Sequence, residues 1–170
     1  MSFLEQYQIK KSDILPDVKT FTPSKFTDYR GTMWTHWEKD MNTPPQKISK
    51  FTHSRKNVLR GLHGDNETWK HITCVYGAFY LVVVDYDKDS PTYLEWDSFT
   101  LDDKNCKSVL VPPGFLNGHL CLSDECVFHY MQSYPKDYVD WFDQDVIKWN
   151  DERLDIVWPI DKPILSWRDK

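Results

Sequence analysis

Apolar and polar residues alternate along much of this chain with a period of two. Lys70 to Tyr76 alternates, with Lys70, Ile72 and Cys74 on one face, and Tyr93 to Leu101 alternates again. Between them Gly77 interrupts, and Phe79 to Val84 is a continuous apolar run ending at Asp85, which predicts a strand buried on both faces. Upstream, short apolar runs and turn residues share positions 12 to 35, predicting two short strands with a turn or one helical turn between them. Asn42 to Gln46, with paired prolines, reads as a loop, Lys47 to Thr52 as a strand, and Val58 to His63 as another. Downstream, Ser108 to Val111 is a short strand before the Pro112-Pro113-Gly114 corner, and His119 to Leu122 with Cys126 to Gln132 predicts a hairpin about Ser123-Asp124-Glu125. From Tyr134 the pattern turns aromatic and acidic with some helical character, closing on an extended Leu154 to Pro159. Many short strands with regular turn signals predict an all-β sandwich or small barrel.

Composition narrows this picture. At 170 residues and 40% hydrophobic content the chain is sized for a single domain, residues 1–170. Eight Trp, nine Tyr and nine Phe against six Gly favour strands over a helical bundle. A net charge of -5 gives no footprint for nucleic acid, though local arginines leave room for a phosphorylated small ligand. Cys74, Cys106, Cys121 and Cys126 form no CxxC pair and read as core hydrophobes in a reducing compartment. With neither a leader pattern nor a run near the ~20 apolar residues of a membrane span, a cytoplasmic protein without membrane contact is expected.

The chemistry gathers on Val58 to Asp65, where Arg60, Gly61 and His63 put a fixed charge, a permissive backbone position and a titratable base on one element. In a regular strand Arg60 and His63 face opposite ways; a bulge at Gly61 brings them together. Taken singly, Lys70 reads as a strand start, Tyr130 as core beside Cys126 and Phe128, and Asp169 as a frayed tail.

In order, however, the motifs Arg60-Gly61-Leu62-His63, Lys70, Val82-Val83-Val84-Asp85, Ser90-Pro91-Thr92, Pro113 to Gly118, Trp149-Asn150-Asp151, Ile156 to Pro159 and Leu165 to Asp169 resemble the landmarks of the dTDP-4-dehydrorhamnose 3,5-epimerase family. The resemblance implies a cupin-like jelly-roll β-barrel, here expected with short helical segments near the C-terminus, a homodimer, and an enzyme without metal or cofactor. Its substrate would be a nucleotide-diphosphate 4-keto sugar. It also implies roles: His63 as base, Asp169 as the group orienting its ring, Lys70 as oxyanion stabiliser, and Tyr130 as acid on the opposite face. Arg30 and Arg60 match positions that face the diphosphate.

Two departures bear on the substrate. The family's Gly-Phe-Ala-His-Gly-Phe run is Gly114-Phe115-Leu116-Asn117-Gly118-His119 here, so Asn117 replaces a site histidine and His119 appears two residues on, about 6.6 Å along the same strand face. The loop between His63 and Lys70 is also shortened, and the lead-in is reduced to Ile48, Lys50, Thr52 and Ser54. Asn117 and His119 are therefore taken as substrate-binding. The expected reaction is inversion at C3 and C5 of a 4-keto-6-deoxy sugar for bacterial capsule or surface polysaccharide, with a GDP-linked heptose preferred and a dTDP-linked hexose as the other choice. Epimerisation at C3 or C5 alone, or a non-catalytic sugar-nucleotide-binding barrel, are the alternatives. A metal cupin would need a His-x-His cluster with further ligands, and His63 is followed by Gly64-Asp65.

Overall fold

A computed structural model describes residues 7–38, 45–139 and 141–170. The strands are β1 (Tyr7–Lys11), β2 (Lys19–Pro23), β3 (Lys25–Asp28), β4 (Gly31–Trp34), β5 (Ile48–Arg55), β6 (Leu59–Gly64), β7 (Trp69–Tyr76), β8 (Ala78–Asp85), β9 (Trp96–Asp102), β10 (Ser108–Val111), β11 (Phe115–Cys121), β12 (Glu125–Ser133) and β13 (Asp145–Val146). They form a six-stranded sheet in the order β1-β2-β10-β7-β12-β5 and a five-stranded sheet in the order β13-β6-β11-β8-β9, with β3 and β4 as a separate hairpin. This is the cupin-like, all-β architecture implied by the resemblance. Most of the loop expected at Asn42 to Gln46 lies outside the described residues.

The main core fills the space between the two large sheets: Ile72 and Cys74 from β7, Phe79, Leu81 and Val83 from β8, and Cys126 and Phe128 from β12. A second cluster covers the outer face of the five-stranded sheet, where Val82 and Val84 meet Leu59, Leu62, Leu116, Ile147, Leu154 and Trp158. β8 therefore buries both faces, which is why its sequence is a continuous apolar run rather than an alternating one. All four cysteines are buried and free, as small core residues.

Two expectations are corrected. No helix occurs among the described residues, and the C-terminal segment instead runs as turns across the five-stranded sheet. Its aromatic residues serve as a flat cover: Trp158 Nε1 donates to Trp149 O at 2.8 Å, and Trp96 Nε1 donates to Leu154 O at 2.7 Å. The first contact ties the segment to itself and the second fixes it to β9, without a helical repeat. The expected hairpin about Ser123 does not form either, because β11 and β12 lie in different sheets. The turn carries the chain from one wall of the sandwich to the other, and period-two alternation reports which face is buried without reporting which strand is the neighbour.

Candidate active site

The register of β6 against β11 sets the site. Asn117 opposes His63 and His119 opposes Arg60, so one strand advances two residues while the other advances three. The extra residue is a bulge, and Gly61 sits within it at φ +132, where an L side chain is strained. Arg60 and His63 consequently line the same cavity, as the sequence required of them.

The cavity, about 360 Å³, opens at one end of the space between the sheets. Its inner walls follow the period of two. From β11 come Asn117 and His119, from β7 Lys70, and from β12 Phe128, Tyr130 and Gln132. Lys50 and Thr52 of β5 complete that wall. Tyr138, Trp141, Gln144 and Arg168 come from the C-terminal segment.

Asp169 reaches His63 because the tail is bound to the neighbouring backbone. Leu59 N donates to Ile164 O at 3.0 Å and Ile164 N donates to Asn57 O at 2.8 Å, which lays the last residues alongside β6. The Asp169 carboxylate then lies 2.8 Å from His63 Nε2, with Asp169 only 4% exposed. Ser166 Oγ donates to it at 2.6 Å and the Gly61 amide at 3.4 Å. Burial alone would raise the Asp169 pKa, but His63 and these donors outweigh it and hold the carboxyl below its usual value. An ionised Asp169 keeps the proton on Nε2 and leaves the lone pair of the other ring nitrogen for a substrate.

Lys70 is buried, and its Nζ donates to Asn117 Oδ1 at 2.9 Å and to His63 O at 3.3 Å. Desolvation pushes its pKa down to about 8, with Asp65 opposing and Arg168 reinforcing the shift. Burial raises the Tyr130 pKa, partly countered by Lys50. His119 is stacked on Phe128 with centroids 4.3 Å apart, and burial, helped by Arg60, drives its pKa down to about 3. It is a neutral imidazole at neutral pH.

Six of the eight residues singled out from the sequence line this cavity, and Asp169 stands directly behind His63. Arg30 is the exception. It lies on the β3–β4 hairpin, paired with Asp28 at 2.5 Å, and lines a separate shallow depression with Phe26 and Met33. That hairpin joins neither large sheet, so nothing in the chain's own fold turns it inward. Sequence reasoning assigned no role to Lys50, Gln132, Tyr138, Trp141, Gln144 or Arg168. Gln132 could have been found by its spacing of two from Tyr130; Arg168 and Trp141 come from irregular segments without a period.

Among the described residues, four cations, Lys50, Arg60, Lys70 and Arg168, line the cavity of a protein whose net charge is -5, and no carboxylate is among the described lining residues. The electrostatics suit an anionic ligand such as a diphosphate. Among the described residues no group of three or more His, Cys, Asp or Glu is placed to hold a metal ion. A base with an ordered carboxylate, a buried ammonium and a phenol around one cavity can move protons on and off carbon next to a carbonyl.

Residues 12–170 match the model of a family described as dTDP-4-dehydrorhamnose 3,5-epimerase. The chain is 33% identical over 167 residues to the dTDP-4-dehydrorhamnose 3,5-epimerase of Salmonella typhimurium, covering 91% of this chain and 88% of that one. It is 32% identical over 158 residues to a dTDP-4-dehydrorhamnose 3-epimerase of Streptomyces niveus, covering 88% of this chain and 75% of that one. Among solved structures, the dTDP-4-dehydrorhamnose 3,5-epimerase of Bacillus anthracis with TDP and PPi bound superposes with a TM-score of 0.89 at 30% identity, covering 96% of both chains.

Proposed function

Because the chain belongs to the dTDP-4-dehydrorhamnose 3,5-epimerase family, we propose that it inverts C3 and C5 of a nucleotide-linked 4-keto-6-deoxy sugar. The observation that carries this reading is the 2.8 Å contact between His63 and Asp169 in a cavity that Lys70 and Tyr130 also line.

His63 takes a proton from the carbon beside the C4 ketone. The electrons of that C–H bond enter a new C–C double bond, and the carbonyl pair moves onto oxygen as an enolate. Lys70 stabilises the enolate oxygen as an ammonium. Tyr130 returns a proton from the opposite face, which inverts the carbon, and the enolate collapses to the ketone. His63 ends protonated and Tyr130 deprotonated, and both reset through solvent. The sequence needs no metal or cofactor, and Asp169 stabilises the transient imidazolium.

Arg60 suits the diphosphate. Arg30 joins it only if a second copy of the chain presents its β3–β4 hairpin to this cavity, which fits the homodimer that the family implies. Phe26, Tyr29 and Met33 on that hairpin are 59%, 97% and 69% exposed, an apolar surface of the kind a partner covers. A dTDP-linked sugar is the better-supported substrate, because the relatives' names specify it. The GDP-linked heptose preferred from the shortened loop is retained as the second substrate to test. The product would serve a bacterial surface polysaccharide.

The test is incubation in deuterium oxide with the dTDP-linked 4-keto-6-deoxy hexose and, separately, the GDP-linked heptose, following H3 and H5 by NMR. Exchange at both carbons, abolished in His63→Ala, is expected; exchange with neither substrate would leave a binding barrel. Exchange at C3 alone would establish the second reading, a C3-epimerase, which the similarity to the Streptomyces niveus 3-epimerase favours.

A further inference from the structure

His119 lines the cavity but takes no part in the proton transfer between His63 and Tyr130. It is 4% exposed, and its Nε2 is buried and finds no hydrogen-bond partner among the described residues. The ring is held by its faces rather than by its nitrogens. It stacks on Phe128 with centroids 4.3 Å apart and planes 17° apart, and it tilts against Phe79 at 5.3 Å. A phenylalanine would make both contacts without a polar atom to satisfy, so packing alone does not account for an imidazole here. Native proteins seldom bury such a group unpaired unless a ligand or water completes it.

The chemistry of the ring indicates the kind of partner. Burial keeps the imidazole neutral, so it offers one N–H donor and one lone pair. A hydroxyl, itself donor and acceptor, can meet either nitrogen, whereas a phosphate oxygen only accepts and is better met by a cation such as Arg60. The register indicates where that partner lies. On β11, Asn117 stands opposite His63 and His119 opposite Arg60. Asn117 and His119, two residues apart, share the face that lines the cavity. A sugar with C3 at the His63 base and the diphosphate of C1 towards Arg60 therefore turns C2 towards His119.

We propose that His119 is a specificity-determining residue that hydrogen-bonds the 2-hydroxyl of the substrate sugar. This rests on the epimerase reading and on Arg60 facing the diphosphate. The 2-hydroxyl does not change as the enolate forms, so the bond is made on binding and kept in the transition state. Its loss acts on KM rather than on kcat. A sugar lacking the hydroxyl leaves the buried imidazole unpaired and is discriminated against.

The test measures kcat and KM of wild type and His119→Phe on whichever nucleotide-linked 4-keto sugar wild type exchanges and on its 2-deoxy counterpart, together with the Kd for free dTDP or GDP. Wild type should prefer the hydroxylated sugar by at least roughly tenfold in kcat/KM. His119→Phe should bring the two sugars within about threefold of each other, chiefly by raising KM for the hydroxylated one, with the nucleotide Kd also within about threefold of wild type. A wild type indifferent to the 2-hydroxyl, or a preference that persists in His119→Phe, overturns the inference. So does a rise in the nucleotide Kd, which would put the imidazole on the diphosphate, or an equal loss on both sugars, which would make it packing. Should His119→Phe melt early, His119→Leu is read by the same criteria. Absence of exchange in wild type defeats the epimerase reading and this inference with it, whereas exchange without preference between the two sugars defeats the inference alone.

Discussion

Lys70 and Asn117 join the two walls of the sandwich: the ammonium on β7 donates to the amide oxygen on β11 at 2.9 Å. The ammonium is desolvated and held in place by an uncharged acceptor, so it titrates early, at about 8.

On the proposed role of Lys70, activity should fall on the alkaline side. Below about pH 8 Lys70 is an ammonium and can stabilise an oxyanion; above it the charge is lost. We expect kcat to decline through that pH, and Lys70→Met to lower kcat by about 10²- to 10³-fold at pH 7. A pH–rate profile flat to pH 10 would contradict the role.

The same burial costs stability. The unfolded chain keeps the Lys70 proton up to the ordinary lysine value of 10.5 while the folded chain releases it at about 8. Between those values the unfolded state binds more protons, so stability gains from this residue as pH rises. The penalty is fully present below pH 8 and is of the order of 3 kcal/mol. Relative to wild type, Lys70→Met should be most favoured in denaturant melts below pH 8, with the difference shrinking towards pH 10.5.

Asp169→Asn should remove the carboxylate that orders His63 while leaving its shape. A loss of kcat of about 10²- to 10⁴-fold is expected, with KM little changed. Equal activity of the Asn variant would remove Asp169 from the machinery.

Gly61→Ala tests the bulge. An added Cβ would land on Gly118 Cα and 2.8 Å from the Asn117 carbonyl oxygen, at a φ of +132. The combined strain and crowding should destabilise the fold by about 3 kcal/mol, read as a lower midpoint in urea.

Acid should unfold this protein early. His36, with its pKa lowered to about 4, stacks on His71 at 4.6 Å, and His71 is also driven well down; His119 sits at about 3. Burial is the largest cause for all three. Each titrates near 6.5 when unfolded, so below that pH the unfolded state binds the extra protons and stability is lost as pH falls. Each contributes a slope of up to about 1.4 kcal/mol per pH unit until its folded pKa is reached. His36→Phe should flatten the decline between pH 6.5 and 4 measured by denaturant titration.

The sequence by itself determined most central strands of the two large sheets and the faces they bury, but not β1 or β13, and it counted two strands over residues 12–35 where β2, β3 and β4 form. Side chains two apart share a face whatever the strand's neighbour, so Lys70, Ile72 and Cys74 were legible as one inward row. Gly61 between Arg60 and His63 announced the bulge, since glycine is the residue such a backbone favours. The family landmarks linked Asp169 to His63, although local pattern alone made Asp169 a frayed end.

Tertiary structure alone decided the rest. Which strands pair is a property of crossovers between walls, so Ser123 reads as a hairpin and is a passage from sheet to sheet. The aromatic run after Tyr134 carries no period that distinguishes a helix from a cover, and the outer face of β6, β8 and β11 chose the cover. Arg168 and Trp141 enter the site from irregular chain, where no repeat fixes direction. Arg30 stays outside because the β3–β4 hairpin pairs only with itself, and a linear sequence does not encode the distance between a charge and the cavity it would serve.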